Sequence, residues 1–328
     1  MVDAAVNRTS SELGHGIGES PVIPRCSFST RVILGVIRLI ARLPFSVRSH
    51  LGWILGFVAG LIPTRELRVT RLQLMRFLNL KRPGPISRRV FAHAGRYMFQ
   101  VLDLKPLLQP GTSQISCKNW SQLQGWLSQD RPVVVLTAHT GNWDLLAAYA
   151  IARGIRVTTI GREARSPVAQ QLLESIRDSY GVETIWRSDR SGLKRIVSCL
   201  REPGRVLAAL IDQDTRVESV YVPFFGTPAK TPSSLVTLGK KLNALFVTTF
   251  IFQTGLNEFE IFADQIDEGY DTHEILTEYH KRLEALIHHY PDQWVWFHKR
   301  WRSQADSETM GTTQYLEWLS NGSEPAHE

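Results

Sequence analysis

From about residue 115 the chain alternates short apolar runs with amphipathic stretches. Runs at 132–138, 155–160, 182–186, 205–210, 244–252 and 258–264 predict strands, and stretches at 142–153, 167–179, 190–201, 232–242 and 271–290 predict helices. Several runs are unbroken in aliphatic residues, as strands covered on both faces tend to be. Strand and helix in strict alternation predict an α/β fold, with a mostly parallel central sheet flanked by helices. The region before it is different. Residues 64–108 read as helical, interrupted by Pro83-Gly84-Pro85. In the helix that starts near Ile86, Phe91, Tyr97, Met98 and Leu102 recur at helical spacing and are expected in the core.

Charge separates the same two regions. Between positions 25 and 105 stand 15 Lys and Arg against only Glu66 and Asp103, whereas from 106 onward 22 basic residues face 26 acidic ones. Basic charge collected in one region points to an anionic partner. The arginines alternate with aliphatic stretches, not with the aromatic platforms that stack on bases, so a membrane surface fits better than nucleic acid. The segment 51–63 has 13 residues without a charge, short of the roughly 20 a spanning helix needs. Together with 32–45 it reads as a membrane-surface or re-entrant hairpin, with its arginines on the cytoplasmic leaflet. An ordinary buried helix pair is the alternative. The chain thus divides into residues 1–24, expected to be disordered; 25–108, an N-terminal helical membrane-associating region; 109–305, the α/β domain; and a polar tail, 306–328. In the tail Tyr315, Leu316, Trp318 and Leu319 either dock as a short helix or stay loose.

Residues 1–24 lack the basic-then-apolar pattern of a cleaved signal peptide. Cys26, Cys117 and Cys199 are widely spaced and odd in number. They suggest neither a metal site nor a disulfide framework, and a reducing compartment is the simpler reading. There is no Gly-x-Ser-x-Gly elbow, no phosphate-binding loop and no dinucleotide fingerprint.

The chemistry concentrates at strand ends, where open α/β sheets place it. His139 follows the run 132–138, and Asp144 lies in the first turn of the helix beyond. A carboxylate that close can hold one imidazole nitrogen as N–H and leave the other as a base. No nucleophilic serine accompanies the pair, so the base would activate a hydroxyl brought by the substrate. Arg162, after 155–160, suits a phosphate or sugar acid, or else a surface pair with Glu163. Asp212 and Asp214, after 205–210, could order Arg162 or the substrate, or be mere surface carboxylates. Phe224 and Phe225, on a loop with Gly226, line an acyl channel or pack on the core.

Three blocks then combine. Ala138-His139-Thr140-Gly141-Asn142-Trp143-Asp144 has the His-x4-Asp form of glycerolipid and lipid A acyltransferases and resembles the lipid A branch. Val222-Pro223-Phe224-Phe225-Gly226-Thr227-Pro228-Ala229 is similar to that branch's second block. Tyr290-Pro291-Asp292-Gln293-Trp294-Val295-Trp296-Phe297-His298-Lys299-Arg300-Trp301-Arg302 is similar to its closing block, with Lys299 where arginine is usual. Over roughly residues 30–305 the chain resembles a bacterial late lipid A acyltransferase. The resemblance implies transfer of a fatty acyl chain from a thioester to a hydroxyl of a lipid A precursor, without an acyl-enzyme. The donor would be acyl carrier protein or coenzyme A. It implies His139 as base and Asp144 as the group fixing its tautomer. Gly141 and Asn142 would serve the oxyanion, and Arg162, oriented by Asp212, the substrate phosphate. Arg300 and Arg302 would meet headgroup or carrier phosphates. It implies no metal and no resident cofactor, and a place on the cytoplasmic face of the bacterial inner membrane among anionic lipids. A lysophospholipid or other glycolipid acceptor is the alternative, with a thioesterase or a non-catalytic membrane protein behind it.

Overall fold

The structure, a computed structural model, describes residues 28–109, 114–305 and 308–321. The expected disorder of 1–24 lies outside the described residues. Helices α1 (Phe28–Ala41), α2 (Phe45–Ala59), α3 (Arg65–Leu78), α4 (Gly84–Gln100) and the short α5 (Lys105–Leu108) come first. The α/β part runs β1 (Gln114–Cys117), α6 (Trp120–Leu127), β2 (Val133–Thr137), α7 (Trp143–Ala152), β3 (Arg156–Gly161), α8 (Pro167–Ser179), β4 (Glu183–Trp186), α9 (Gly192–Leu200) and β5 (Arg205–Leu210). It continues through β6 (Ser219–Phe224), β7 (Thr227–Pro232), α10 (Ser234–Lys241), β8 (Leu245–Gln253), β9 (Glu258–Gln265), α11 (Thr272–His289) and α12 (Thr312–Asn321).

Seven strands form one sheet in the order β1-β9-β8-β2-β5-β3-β4. From β8 to β4 all neighbours are parallel, while β9 runs antiparallel to β8 and carries β1 parallel to itself. The expected α/β class with a mostly parallel sheet is therefore what the chain adopts. β2 lies at the centre, and Val133, Val134, Leu136 and Thr137 are all buried. β6 and β7 form a separate antiparallel hairpin in which Phe224 pairs with Thr227. The two turn residues, Phe225 and Gly226, both have positive φ, as a tight twisted hairpin requires.

Helices α3 and α4 share a core with the sheet. Val69, Leu74 and Phe77 of α3 and Val90 of α4 belong to the same apolar cluster as Val134 and Leu136 of β2. Phe77 stacks on Trp301 with ring centroids 3.6 Å apart. α12 docks beside α3, burying Tyr315, Leu316 and Leu319, and Arg76 lies 3.8 Å over the Trp318 ring. The tail thus docks as a helix through residue 321.

The split, Gly-rich apolar segment has a packing reason. α2 crosses α4 almost backbone to backbone. A Cβ on Gly52 would stand 2.6 Å from the Gly95 carbonyl oxygen, and one on Gly56 2.2 Å from that of Phe91. Real Cβ atoms do not approach so closely, so glycine sets the interhelix distance. The other side of this pair is open. Val36 and Leu39 of α1, Val47, Ile54, Leu55 and Val58 of α2, and Leu61 and Ile62 beyond it are each about half or more exposed. α2 is thus buried on one face and bare on the other. Among the described residues no helix is long and apolar enough to cross a membrane.

Candidate active site

His139 lies two residues beyond Thr137, the last residue of β2. Asp212 lies two residues beyond Leu210, the last of β5, and Thr137 and Leu210 are register partners. Equal offsets on adjacent parallel strands bring the two side chains together at the carboxyl edge. His139 Nδ1 is 2.7 Å from one Asp212 oxygen, and the His139 main-chain N–H donates to the other at 2.9 Å. Trp294 Nε1–H donates to that second oxygen at 2.9 Å. Asp212 is fully buried, and burial alone would raise its pKa. The charge of His139, with the hydrogen bonds from His139 and Trp294, overcomes that and brings it to about 2. An ionised acceptor at Nδ1 holds the proton there and leaves Nε2 free. The imidazole is 23% exposed and so within reach of a substrate.

The backbone around His139 is fixed from three sides. Gly141 has φ +48°, and a Cβ on it would stand 2.4 Å from the Ile251 carbonyl oxygen, so only glycine fits. Its N–H donates to the Gln293 carbonyl at 2.9 Å, and Thr140 bridges Trp294. Asn142 caps α7 by accepting from Leu145 N–H at 3.0 Å, and its amide donates to Gln100 of α4 at 3.1 Å.

The expected partnership of His139 with Asp144 is not made. Asp144 sits in the first turn of α7 and points to the side of the helix that faces α4 and α8. It accepts from Tyr97 O–H and from Arg177 Nε, the latter at 3.2 Å. Trp143 stands between, edge-on to the imidazole at 4.9 Å and against the Tyr97 ring at 4.0 Å. Asp144 therefore ties α4, α7 and α8 together behind His139. Tyr97, expected as core, is part of this support; burial and the Asp144 charge hold its hydroxyl well above the usual phenol range.

The site is thus a histidine held by a buried carboxylate at the carboxyl edge of a parallel sheet. Residues 25–303 match the bacterial lipid A biosynthesis acyltransferase family. The chain belongs to this family. A lipid A biosynthesis acyltransferase of Haemophilus influenzae is 24% identical over 284 residues, covering 83% of this chain and 87% of that protein. A phosphatidylinositol mannoside acyltransferase of Mycobacterium tuberculosis is 26% identical over 124 residues, 37% of this chain and 39% of its own. The crystal structure of a 1-acyl-sn-glycerophosphate acyltransferase from Thermotoga maritima aligns with a TM-score of 0.35 and 13% identity, over 76% of this chain and 99% of that one.

In this lipid A family acyltransferase the remaining expected residues fall into two groups. Arg162 is exposed at the carboxyl end of β3, one strand from Asp212, but Asp212 does not orient it, because His139 and Trp294 occupy both its oxygens. The Gly141 N–H, given to Gln293, is not available to an oxyanion, and neither is the side chain of Asn142. Phe224 and Phe225 line no channel. Phe224 is buried between His280 and Trp301, with centroids at 4.5 and 5.5 Å, and Phe225 packs on Trp296 at 5.9 Å. Arg300 is fully buried and meets no headgroup. It donates to the Lys230 carbonyl at 2.6 Å and to Thr231 Oγ1 at 2.7 Å, clamping the β6–β7 hairpin. Arg302 is one-third exposed and 3.6 Å from Asp214.

Trp294, Arg177 and His298 were not assigned site roles from sequence. His298 accepts from Asp214 N–H at 3.1 Å, and its burial, opposed by Asp212, lowers its pKa to about 3, so it is neutral. For Trp294 a signal existed: a buried indole N–H needs an acceptor, and the closing block carries three tryptophans.

Proposed function

We propose that this acyltransferase moves a fatty acyl chain from a thioester, carried by acyl carrier protein or coenzyme A, to a hydroxyl of a lipid A precursor. The observation that carries the mechanism is the His139–Asp212 bond with Nε2 left free. Nε2 takes the proton of the acceptor hydroxyl as its oxygen attacks the thioester carbonyl. The tetrahedral intermediate collapses with loss of the C–S bond. The departing thiolate takes the proton from the imidazolium, giving ester and thiol. Asp212 holds the tautomer and stabilises the imidazolium. The N-terminus of α7 starts four residues after His139, and the positive end of its dipole would favour the developing oxyanion.

The acyl chain is assigned to the apolar cavity between α7 and the sheet, lined by Val135, Leu146, Ala147, Val206 and Ala208, with Trp143, Asp144 and Arg177 at its site end. It measures about 80 Å3, so side chains must give way for a long chain to enter. Arg162 stands near Arg187, whose pKa is lowered by burial and by the Arg162 charge, and this cationic edge suits a phosphate of the donor. The bare apolar face of α1 and α2, flanked by exposed Arg38 and Arg42, suits interfacial docking on an anionic bilayer at the cytoplasmic face of the inner membrane.

The test is a reconstituted assay with membrane-dispersed protein, labelled acyl carrier protein and a tetra-acylated lipid A precursor, run beside His139→Ala. Product with one added chain, absent in the variant, is expected. Normal turnover by His139→Ala would overturn the base assignment. Transfer only to another glycolipid would replace the acceptor, a second reading supported by the mycobacterial relatives that act on phosphatidylinositol mannosides by name.

A further inference from the structure

Behind α2 a second cavity, of about 620 Å3, lies between α4, the end of β8 and the segment after α11. Arg89, His93 and Arg96 of α4 line it, with Trp53, Gln253 and Asp292. The spacing of the three basic residues puts them on one helix face. Asp292 is 2.6 Å from Arg89 Nε and 3.7 Å from His93 Nε2. Burial, with the neighbouring arginine charges and against that of Asp292, lowers the His93 pKa to about 4, so it is neutral near pH 7. Two guanidinium charges therefore face one carboxylate, and one positive charge is left over. Arg96 Nε is buried without a protein acceptor, and a buried N–H without an acceptor is costly. Arg89, with 60% of its side chain exposed, stands at the mouth.

The position relates the cavity to both surfaces described above. Trp53 directly precedes Ile54 and Leu55 of the bare apolar face. On the other side, Gln253 N–H donates to the Gln293 side chain at 2.8 Å, and the Gln293 carbonyl accepts from Gly141. α4 itself continues from the basic residues to Tyr97 and Gln100, which hold Asp144 and Asn142. At 1.5 Å per residue, Arg89 and Tyr97 are about 12 Å apart along the axis. A volume of 620 Å3 is within the roughly 300–1,000 Å3 of small-molecule sites and far exceeds a bare phosphate ion.

We propose that this cavity binds a phosphate group on the headgroup of the acceptor lipid, with Arg89 and Arg96 as its donors. The assignment rests on the acyl-transfer reading for the word acceptor, but the phosphate site stands on its own geometry. Guanidinium N–H groups meet phosphate oxygens in planar, charge-assisted pairs. The phosphate would anchor the headgroup at the level where the apolar face ends, and α4 sets its distance from the reacting hydroxyl.

The experiment uses the full chain carrying His139→Ala, so that no turnover occurs. Its co-sedimentation is measured with phosphatidylcholine vesicles and with the same vesicles containing phosphatidic acid, with and without millimolar inorganic phosphate. The parent is expected to gain binding with the phosphate-monoester lipid. Arg89→Gln, at an exposed position, and Arg89→Gln/Arg96→Gln should each lose that gain, by about tenfold for one charge-assisted pair, with melting checked beside it. Arg89→Lys should restore part of it. Unchanged gain in Arg89→Gln with an intact melting transition would overturn the proposal. So would saturable binding of inorganic phosphate with no dependence on vesicle phosphate, which would assign the cavity to a free ion. In the active chain, preference for a phosphorylated over a dephosphorylated acceptor should fall about tenfold in Arg89→Gln. A chain that shows the vesicle result but transfers to no acceptor keeps this site and loses the acyl-transfer mechanism instead.

Discussion

Asp212→Asn separates the two carboxylates most sharply. Three N–H donors converge on Asp212: His139 main chain at 2.9 Å, His139 Nδ1 at 2.7 Å and Trp294 Nε1 at 2.9 Å. One of its oxygens serves two of them, so the single oxygen of an asparagine takes that place. The amide NH2 then faces Nδ1 as a donor. The imidazole must accept there, its proton moves to Nε2, and the base is lost. The same substitution in a serine-protease triad costs about 10⁴ in turnover. A fall of roughly 10³–10⁴ is expected here, about 4–5 kcal/mol of transition-state stabilisation. Stability should drop as well. The Asp212 pKa lies at about 2 against an ordinary 3.8, which makes the ionised carboxylate worth about 2 kcal/mol to the fold. Because the folded-state pKa is depressed, that contribution is complete above about pH 4 and disappears as pH falls through about 2. The two chains should therefore differ in melting at pH 7 and converge in strong acid. Initial rates of transfer and melting curves from pH 2 to 7 make the comparison. Asp144→Asn, which leaves Arg177 facing Tyr97, should retain more rate than Asp212→Asn. If Asp212→Asn transfers within tenfold of the parent while folded Asp144→Asn is inactive, the tautomer argument is refuted.

Gly141→Ala forces a Cβ to 2.4 Å from Ile251 oxygen at φ +48°, so a melting loss of about 1–3 kcal/mol or more, with collapse of the rate, is expected. Native melting would show that the loop has room. Arg300→Gln, which removes donors to Lys230 and Thr231, should cost about 2–4 kcal/mol in denaturant titration and leave the acceptor KM unchanged in whatever protein stays folded. A selective rise in KM would return Arg300 to the headgroup. Ile54→Glu/Val58→Glu, at positions 54% and 50% exposed, should leave melting intact and lower partition into anionic vesicles by about tenfold or more. Equal partition would place the membrane contact elsewhere. Ala147→Leu, in the cavity under α7, should shift product toward shorter chains in mass spectra at a stability cost of about 1–3 kcal/mol. An unchanged chain profile would move the channel.

The strands and helices of the α/β part were legible because each is a continuous apolar run or a helical stripe. All six expected strands form within two residues of the expected bounds. The β6–β7 hairpin was hidden by Pro223, Pro228 and Lys230, which read as loop, although the outer side of a two-stranded hairpin accepts such residues. The site was half legible. His139 is marked by its own strand end. Its partner was sought five residues away in sequence, whereas sheet register supplies it from 73 residues away. Asp212 was visible as a carboxylate at a strand end, but which neighbour it serves depends on β5 lying beside β2, and periodicity carries no strand order. Phe224 and Arg300 misled for a related reason. Their types suit ligand contact, and only packing shows the aromatic stack and the buried clamp that absorb them.

Sheet register has a consequence for how this site comes into being. The groups on Asp212 are separated from it by 73 and 82 residues, and the β2–β5 pairing that aligns them is parallel. Such contacts close large loops before any local structure rewards them, and parallel pairing of high contact order forms slowly. Helices α7 and α11 can gather long before the imidazole meets its carboxylate. A chain caught part-way in refolding would carry most of its helical signal and no base, so recovery of acyl transfer should lag recovery of far-ultraviolet dichroism. Activity in this fold therefore reports that β2 and β5 have paired in register.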